Sequence, residues 1–142
     1  MRIGTALLCD AAIVRDNLLF VLGGGVTRLY RTEFPADMNV SLALSIQLHR
    51  MEIGRPHELA VDVIGEDGAK IAEVRGGFQI PEVPADMDVH EELAVPVVLP
   101  FAMAGVPAAG NYSIEISIDG THHRTLPFRV TSTPPGRAPA GS

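Results

Sequence analysis

VSLALSIQL, residues 40–48, decides how the rest of the chain is read. Val40, Leu42, Leu44, Ile46 and Leu48 fall on one side of an extended backbone, and Ser41, Ala43, Ser45 and Gln47 fall on the other. Side chains alternate across a strand, so this period of two marks one buried and one solvated face, as in antiparallel sheets. The pattern recurs outward in both directions. NYSIEISID (111–119) sets Tyr112, Ile114, Ile116 and Ile118 against Ser113, Glu115, Ser117 and Asp119. HELAVDV (57–63) sets Leu59, Val61 and Val63 against Glu58, Ala60 and Asp62, and ELAVPVVL (92–99) aligns Leu93, Val95, Val97 and Leu99. No window longer than about ten residues shows helical spacing without Pro or Gly.

The residues between these runs are turn formers. Asp119-Gly120 predicts a two-residue hairpin, because both central residues must accept positive φ. Gly65-Glu66-Asp67-Gly68 predicts a slightly longer hairpin, and Arg15-Asp16-Asn17 a third. Pro96 and Pro127 lie inside strand-like runs and cannot donate to a ladder, which places them on edges or at bulges. Gly76-Gly77 before Phe78 predicts a bulge. IPEVPADMDVHEE (80–92), with two prolines and five carboxylates, reads as a long exposed loop with room for one helical turn.

The opening MRIGTALLCDAAIV has two readings. An export signal needs an apolar core of about 7–15 residues and a small residue before the cleavage point. Here Ile3–Leu8 is short and interrupted by Gly4 and Thr5, Leu8 precedes Cys9, and Asp10 breaks the run. A first strand beginning almost at Met1 is the expectation. No later stretch reaches the ~18 apolar residues of a membrane helix.

The chain has 142 residues, 46% hydrophobic and 20% charged, the composition of one ordinary globular domain. One cysteine rules out an internal disulfide framework and fits a reducing, cytoplasmic setting. The net charge is −6, and residues 76–123 hold seven acidic side chains with no Lys or Arg. Nucleic-acid binding draws its affinity from cations neutralising phosphates, so no nucleic acid is expected as partner. An anionic membrane surface is disfavoured in the same way.

ALLCDAA (6–12), LLFVLGGG (18–25), LALSIQL (42–48) and GNYSIEISIDG with LPFRV (110–130) resemble a family of small bacterial all-β proteins of unknown function. Its members share the Ala-Leu-Leu-Cys-Asp-Ala-Ala start, the Leu-Gly-Gly-Gly turn and a closing hairpin with an Asp-Gly tip. The resemblance spans residues 6–130. Arg15-Asp16-Asn17 departs from the Gly-Lys-like turn of the pattern, and the Arg28 that stands shortly before Tyr30 is a second departure. The resemblance implies the fold and a cytoplasmic location and transfers no catalytic residue.

Residues that could carry chemistry each have a plainer role. LGGGVTR (22–28) lacks the third glycine of a dinucleotide loop, which would stand at Arg28, and reads as a strand–bulge–strand connection. Cys9 has no local cation or His to lower its pKa and reads as a small core residue. Asp10, between apolar stretches, either pins a turn or marks a site. His122 and His123 point to opposite faces of a strand, and His49, His57 and His90 lack metal-ligand spacing. The acidic loop offers Asp86, Asp88 and Glu91, with Glu82 and Glu92, as calcium candidates without the glycine and spacing of a recognised calcium loop. The G-x-S-x-G spacing of serine hydrolases is absent. Tyr112, Phe128 and Phe78 read as inward-facing, leaving Tyr30 and Phe101 as surface aromatics.

The expected architecture is a single antiparallel β-sandwich of about nine strands over residues 1–130. It would be immunoglobulin-like or a related Greek key, with a disordered Pro/Gly/Ser-rich tail over 131–142. The expected function is a non-enzymatic binding or assembly module without catalytic residues or cofactors, reaching a protein partner or its own copies through edge strands. Contact regions would be the 80–92 loop, the 101–110 loop and the edges at Pro96 and Pro127. The alternatives are a small-ligand protein or enzyme with a site assembled from distant residues such as Asp10, His57 and His122, and a structural subunit of a larger particle.

Overall fold

The computed structural model describes residues 1–134. The expected disordered tail lies, from residue 135 on, outside the described residues. Three long strands, β1 (Arg2–Arg15), β5 (Ser41–His49) and β8 (Glu92–Pro100), join β2 (Leu18–Gly24) in one sheet of order β2-β1-β5-β8. A second sheet holds β3 (Arg28–Tyr30), β6 (His57–Gly65), β7 (Lys70–Phe78), β10 (Gly110–Ile118) and β11 (Thr121–Thr131), in the order β3-β11-β10-β6-β7. The two-residue strands β4 (Ala36–Asp37) and β9 (Gly105–Val106) pair with each other. Every pairing is antiparallel except β3 beside β11. The strands beyond the expected nine are short ones, too short to show an alternation.

The inward faces of the two sheets share one core. Leu42, Leu44 and Ile46 from β5 meet Val61 and Val63 from β6 and Ile114, Ile116 and Ile118 from β10, all at 0–1% exposure. Burial of this apolar set, at about 25 cal/mol per Å², is the main force holding the sheets together. Ala43, expected on the solvated face, is buried as well, flanked in register by Leu7 and Val98.

The turns form where their residues allow. Asp16 (φ 52°) and Asn17 (φ 59°) close β1 on β2, and Asp119 (φ 51°) and Gly120 (φ 79°) close β10 on β11. Pro96 sits on β8, an outer strand. Pro127 sits on β11 where β3, which covers only Arg129–Thr131, does not reach.

Three expectations need correction. The pairing of Gly76 with Leu59 and Gly77 with Glu58 is in regular register, so no bulge lies there; the irregularity in β6–β7 falls at Ile71 instead. Neither glycine has positive φ, so neither is used for its conformational freedom. The 80–92 loop holds hydrogen-bonded turns at Pro84–Met87 and Asp88–Glu91 rather than a helical turn, and Met87 pins it against Leu48 and Ile53. Phe101 is a core residue at 3% exposure, its N–H bonded to the Val40 carbonyl, because the chain turns inward right after β8. At the start of β10 the Tyr112 hydroxyl donates to the Ala108 carbonyl at 2.6 Å, closing the corner that leads into the strand.

Candidate functional site

The three distant residues considered for an assembled site stay apart. His57 begins β6 and is 5% exposed. Its Nδ1 lies 2.7 Å from Asp119 Oδ2 and its Nε2 lies 2.7 Å from the Glu52 carbonyl. Both partners are acceptors, so the arrangement is fully satisfied when both ring nitrogens carry protons, that is, by the imidazolium form. Burial pulls its pKa down, but the Glu52 carbonyl and the Asp119 carboxylate outweigh this and raise it above the ordinary 6.5. Asp119, through Oδ1, also accepts the Glu58 N–H at 2.9 Å. The ensemble clamps the β10–β11 turn onto the start of β6. A depression of about 490 Å³ beside it is lined by His57, Arg75, Gly76, Gly77 and Asp119, and exists because the glycines carry no side chains. No ring nitrogen is left free to act on a molecule there.

His122 lies on the outer face of the second sheet. Its Nε2 is 2.7 Å from Glu115 Oε2 and 3.0 Å from the Thr125 hydroxyl. Ser113 donates to Glu115 Oε1 at 3.0 Å. Burial works against the Glu115 carboxylate, yet donation from Thr125, His122 and Ser113 holds its pKa below 4.5. His122 is half exposed on a flat strand surface, so this is a cross-strand polar cluster with nothing around it to exclude water. His123 is the extra residue of the irregularity where Ile116 pairs with Arg124 and Ser117 with His122.

Asp10 is exposed on β1, with its carboxylate against Gly23. A Cβ at Gly23 would stand 2.5 Å from Asp10 Oδ2, and Gly23 has φ 62°, so both space and backbone require glycine there. Cys9 is fully buried, its thiol directed at the Ser41 carbonyl at 3.4 Å. Burial first, and the Asp10 charge second, push that thiol up, the reverse of what a nucleophile needs. Asp86, Asp88 and Glu91 are exposed, and Asp88 Oδ1 accepts the His90 N–H at 2.9 Å, folding its own turn. Among the described residues no group of three or more His, Cys, Asp or Glu side chains is placed to hold a metal ion, and no helix is long and apolar enough to cross a membrane.

The feature that stands out lies elsewhere. The β1–β5 ladder ends at Cys9 and Ser41, whereas β1 runs on to Arg15 paired with β2 alone. Residues 10–22 thus form a two-stranded arm, reaching roughly 20 Å beyond the ladder at about 3.3 Å per residue. Ile13 faces Phe20, Val14 faces Leu19, Ala12 faces Val21 and Ala11 faces Leu22. Alternation puts Ile13, Leu18, Phe20 and Leu22 on one side of the ribbon and Val14 and Val21 on the other. They are 59, 61, 48, 72, 45 and 37% exposed, and none joins the core. The strand LLFVL (18–22) carries the sign of this in its sequence: an unbroken apolar run without the alternation seen elsewhere reads as a strand covered on both faces. Its position on an outer hairpin, which leaves it uncovered, is a tertiary fact.

No curated protein matches the chain. A family model described as a family of unknown function, DUF6941, matches residues 4–131, which takes in the arm, both sheets and the clamp. The chain therefore belongs to the family of unknown function DUF6941.

Proposed function

We propose that this protein is a non-enzymatic, cytoplasmic binding or assembly module, a β-sandwich of immunoglobulin-like strand order that docks through its β1–β2 arm. The single observation that carries the reading is the arm: six large apolar side chains exposed on both faces of a ribbon of only two strands, each paired with the other alone. An isolated two-stranded hairpin is marginal in water, and contiguous exposed apolar surface of this kind marks an interaction site. The immunoglobulin-like reading is supported by β3 running parallel to β11 at the edge of β11-β10-β6-β7. It is also supported by the Tyr112 hydroxyl bonded four residues upstream at the entry to β10, a tyrosine corner. The single buried free thiol fits a reducing compartment. The commitment of both His57 nitrogens favours a structural role for this buried group.

The test is capture of the C-terminally tagged chain from lysate of its own host, side by side with a variant carrying Ile13→Thr, Leu18→Thr, Phe20→Thr and Leu22→Thr. Threonine keeps the strand and removes the apolar surface. The expected result is a set of captured chains, further copies of this one included, that the variant loses at unchanged melting temperature. Equal capture by both forms, or capture of nothing by either, refutes the docking role.

A further inference from the structure

The outer strands of the two sheets are not equally protected. The edge strand β8 carries Pro96. On β7 the salt-bridged Lys70, Glu73 and Arg75 line the edge, and β3 is three residues long. These are the usual devices that stop a strand edge from pairing with another chain. The edge β2 has none of them between Leu18 and Leu22. Its hydrogen-bonding groups are also placed for use. A two-residue turn closes on a hydrogen-bonded pair, here Arg15 with Leu18, so Leu18, Phe20 and Leu22 bond inward to β1 while Leu19 and Val21 turn their N–H and C=O groups outward.

We propose that this arm is the contact between two copies of the chain, joined by antiparallel pairing of β2 with β2 about a two-fold axis at Phe20. This rests on the docking role given to the arm above. In that register Leu19 faces Val21 of the second copy in both directions, giving four backbone hydrogen bonds, and Phe20 faces its own counterpart. Leu18 then lies opposite Leu22 of the other copy, so the tip of each arm meets the root of the other. At that root is an apolar groove of about 220 Å³ lined by Leu7, Leu8, Gly25, Val26, Leu126 and Pro127. One molecule thus offers both a projecting apolar ribbon and a recess beside its base, which is the self-complementarity a two-fold contact requires.

Area and charge agree with this occupant. The six exposed side chains present on the order of 600 Å² of apolar surface. Covered completely in both copies they would amount to about 1,200 Å², the lower end for specific protein interfaces, and pairing of β2 with β2 covers the part nearest the seam. The chain carries −6, which sets copies against each other. The arm, however, holds only Asp10, Arg15 and Asp16, and the acidic 80–92 loop lies at the far end of β1, where Arg2 bonds Glu92 at 3.2 Å. Docking by the arms keeps the acidic ends apart.

Sedimentation equilibrium on the purified full chain, across micromolar concentrations, reads the outcome directly. The expected mass is twice the 15.1 kDa of the chain, falling to a single chain in a Leu18→Asp, Leu22→Asp variant whose circular dichroism and melting temperature are unchanged. Phe20→Cys is expected to give a covalent dimer with diamide, since facing residues on antiparallel strands lie within disulfide reach. Leu18→Cys and Met51→Cys, the latter at the opposite end and 85% exposed, are expected to give none. A dimer that cross-links at Leu18 and not at Phe20 overturns the register. A dimer that survives the double Asp variant overturns the arm as the contact. A monomer at every concentration, with arm-dependent capture of a different protein from lysate, overturns the second copy and leaves the docking role standing. A monomer with no arm-dependent capture overturns both.

Discussion

Replacing Asp119 by Asn removes the charge and one acceptor oxygen from the clamp on His57 and keeps the turn, because Asn also accepts the left-handed backbone at φ 51° that this position requires. The carboxylate accepts two N–H groups, from His57 Nδ1 at 2.7 Å and from the Glu58 backbone at 2.9 Å. An amide has one acceptor oxygen, so its NH2 group must face one of those donors. A hydrogen bond to a charged group contributes about 1.5–3 kcal/mol, and the half-exposed Asp119 places this one near the lower figure, about 1.5 kcal/mol. For a chain of this length that is a fall of about 5 °C in melting temperature. The pH dependence is the sharper test. The folded pKa of His57 is raised, so its stabilisation is complete below the unfolded value near 6.5 and is lost as pH rises through the folded one. The His57 hydrogen bond, then the Glu58 N–H, hold Asp119 below 3.8, so its share is complete above that value and is lost as pH falls through the lowered one. The clamp is therefore whole between about pH 4 and 6.5. Thermal unfolding followed by circular dichroism at pH 5.5 and 8.5 should show the larger deficit for Asp119→Asn at pH 5.5 and a flatter pH profile than the parent. A deficit under about 1 °C at pH 5.5, or a larger one at pH 8.5, would refute the imidazolium assignment.

Leu44→Ala, at a position with no exposure between the two sheets, should cost about 3 kcal/mol, read as a lower urea midpoint at unchanged slope. Tyr112→Phe leaves the ring stacked on Phe128 but removes the bond to Ala108, and should cost about 1 kcal/mol by the same measurement. The Cys9 thiol, buried and pushed upward, should not react with Ellman's reagent at neutral pH until denaturant is added; prompt reaction of the native chain would contradict the packing of β1 on β5.

Much of the fold is legible because its signals are local. Val40 to Leu48 alternate, and every apolar member of that set is buried. Asp16-Asn17 and Asp119-Gly120 turn because few other residues accept positive φ in succession. Gly76-Gly77 misled because a glycine pair in a strand has two explanations, bulge or bare edge, and only the pairing partner distinguishes them. Phe101 misled because a residue just past a strand is inward or outward according to where the next strand lies, which is not a local property.

The site divides in the same way. His57 was visible as one of five histidines, but its partners Glu52 and Asp119 lie 5 and 62 residues away, and no spacing rule connects them. LLFVL was visible as an apolar run. By itself the sequence determined the strand period, the hairpin turns, the core faces and the burial of Cys9, since each follows from backbone conformation and the hydrophobic effect acting along a few residues. Only the tertiary structure decided that β1 outruns β5 by six residues, leaving that apolar run uncovered on a two-stranded arm. How far one strand extends past its neighbour is set by where distant segments pair, and exposure is a property of what packs against a residue.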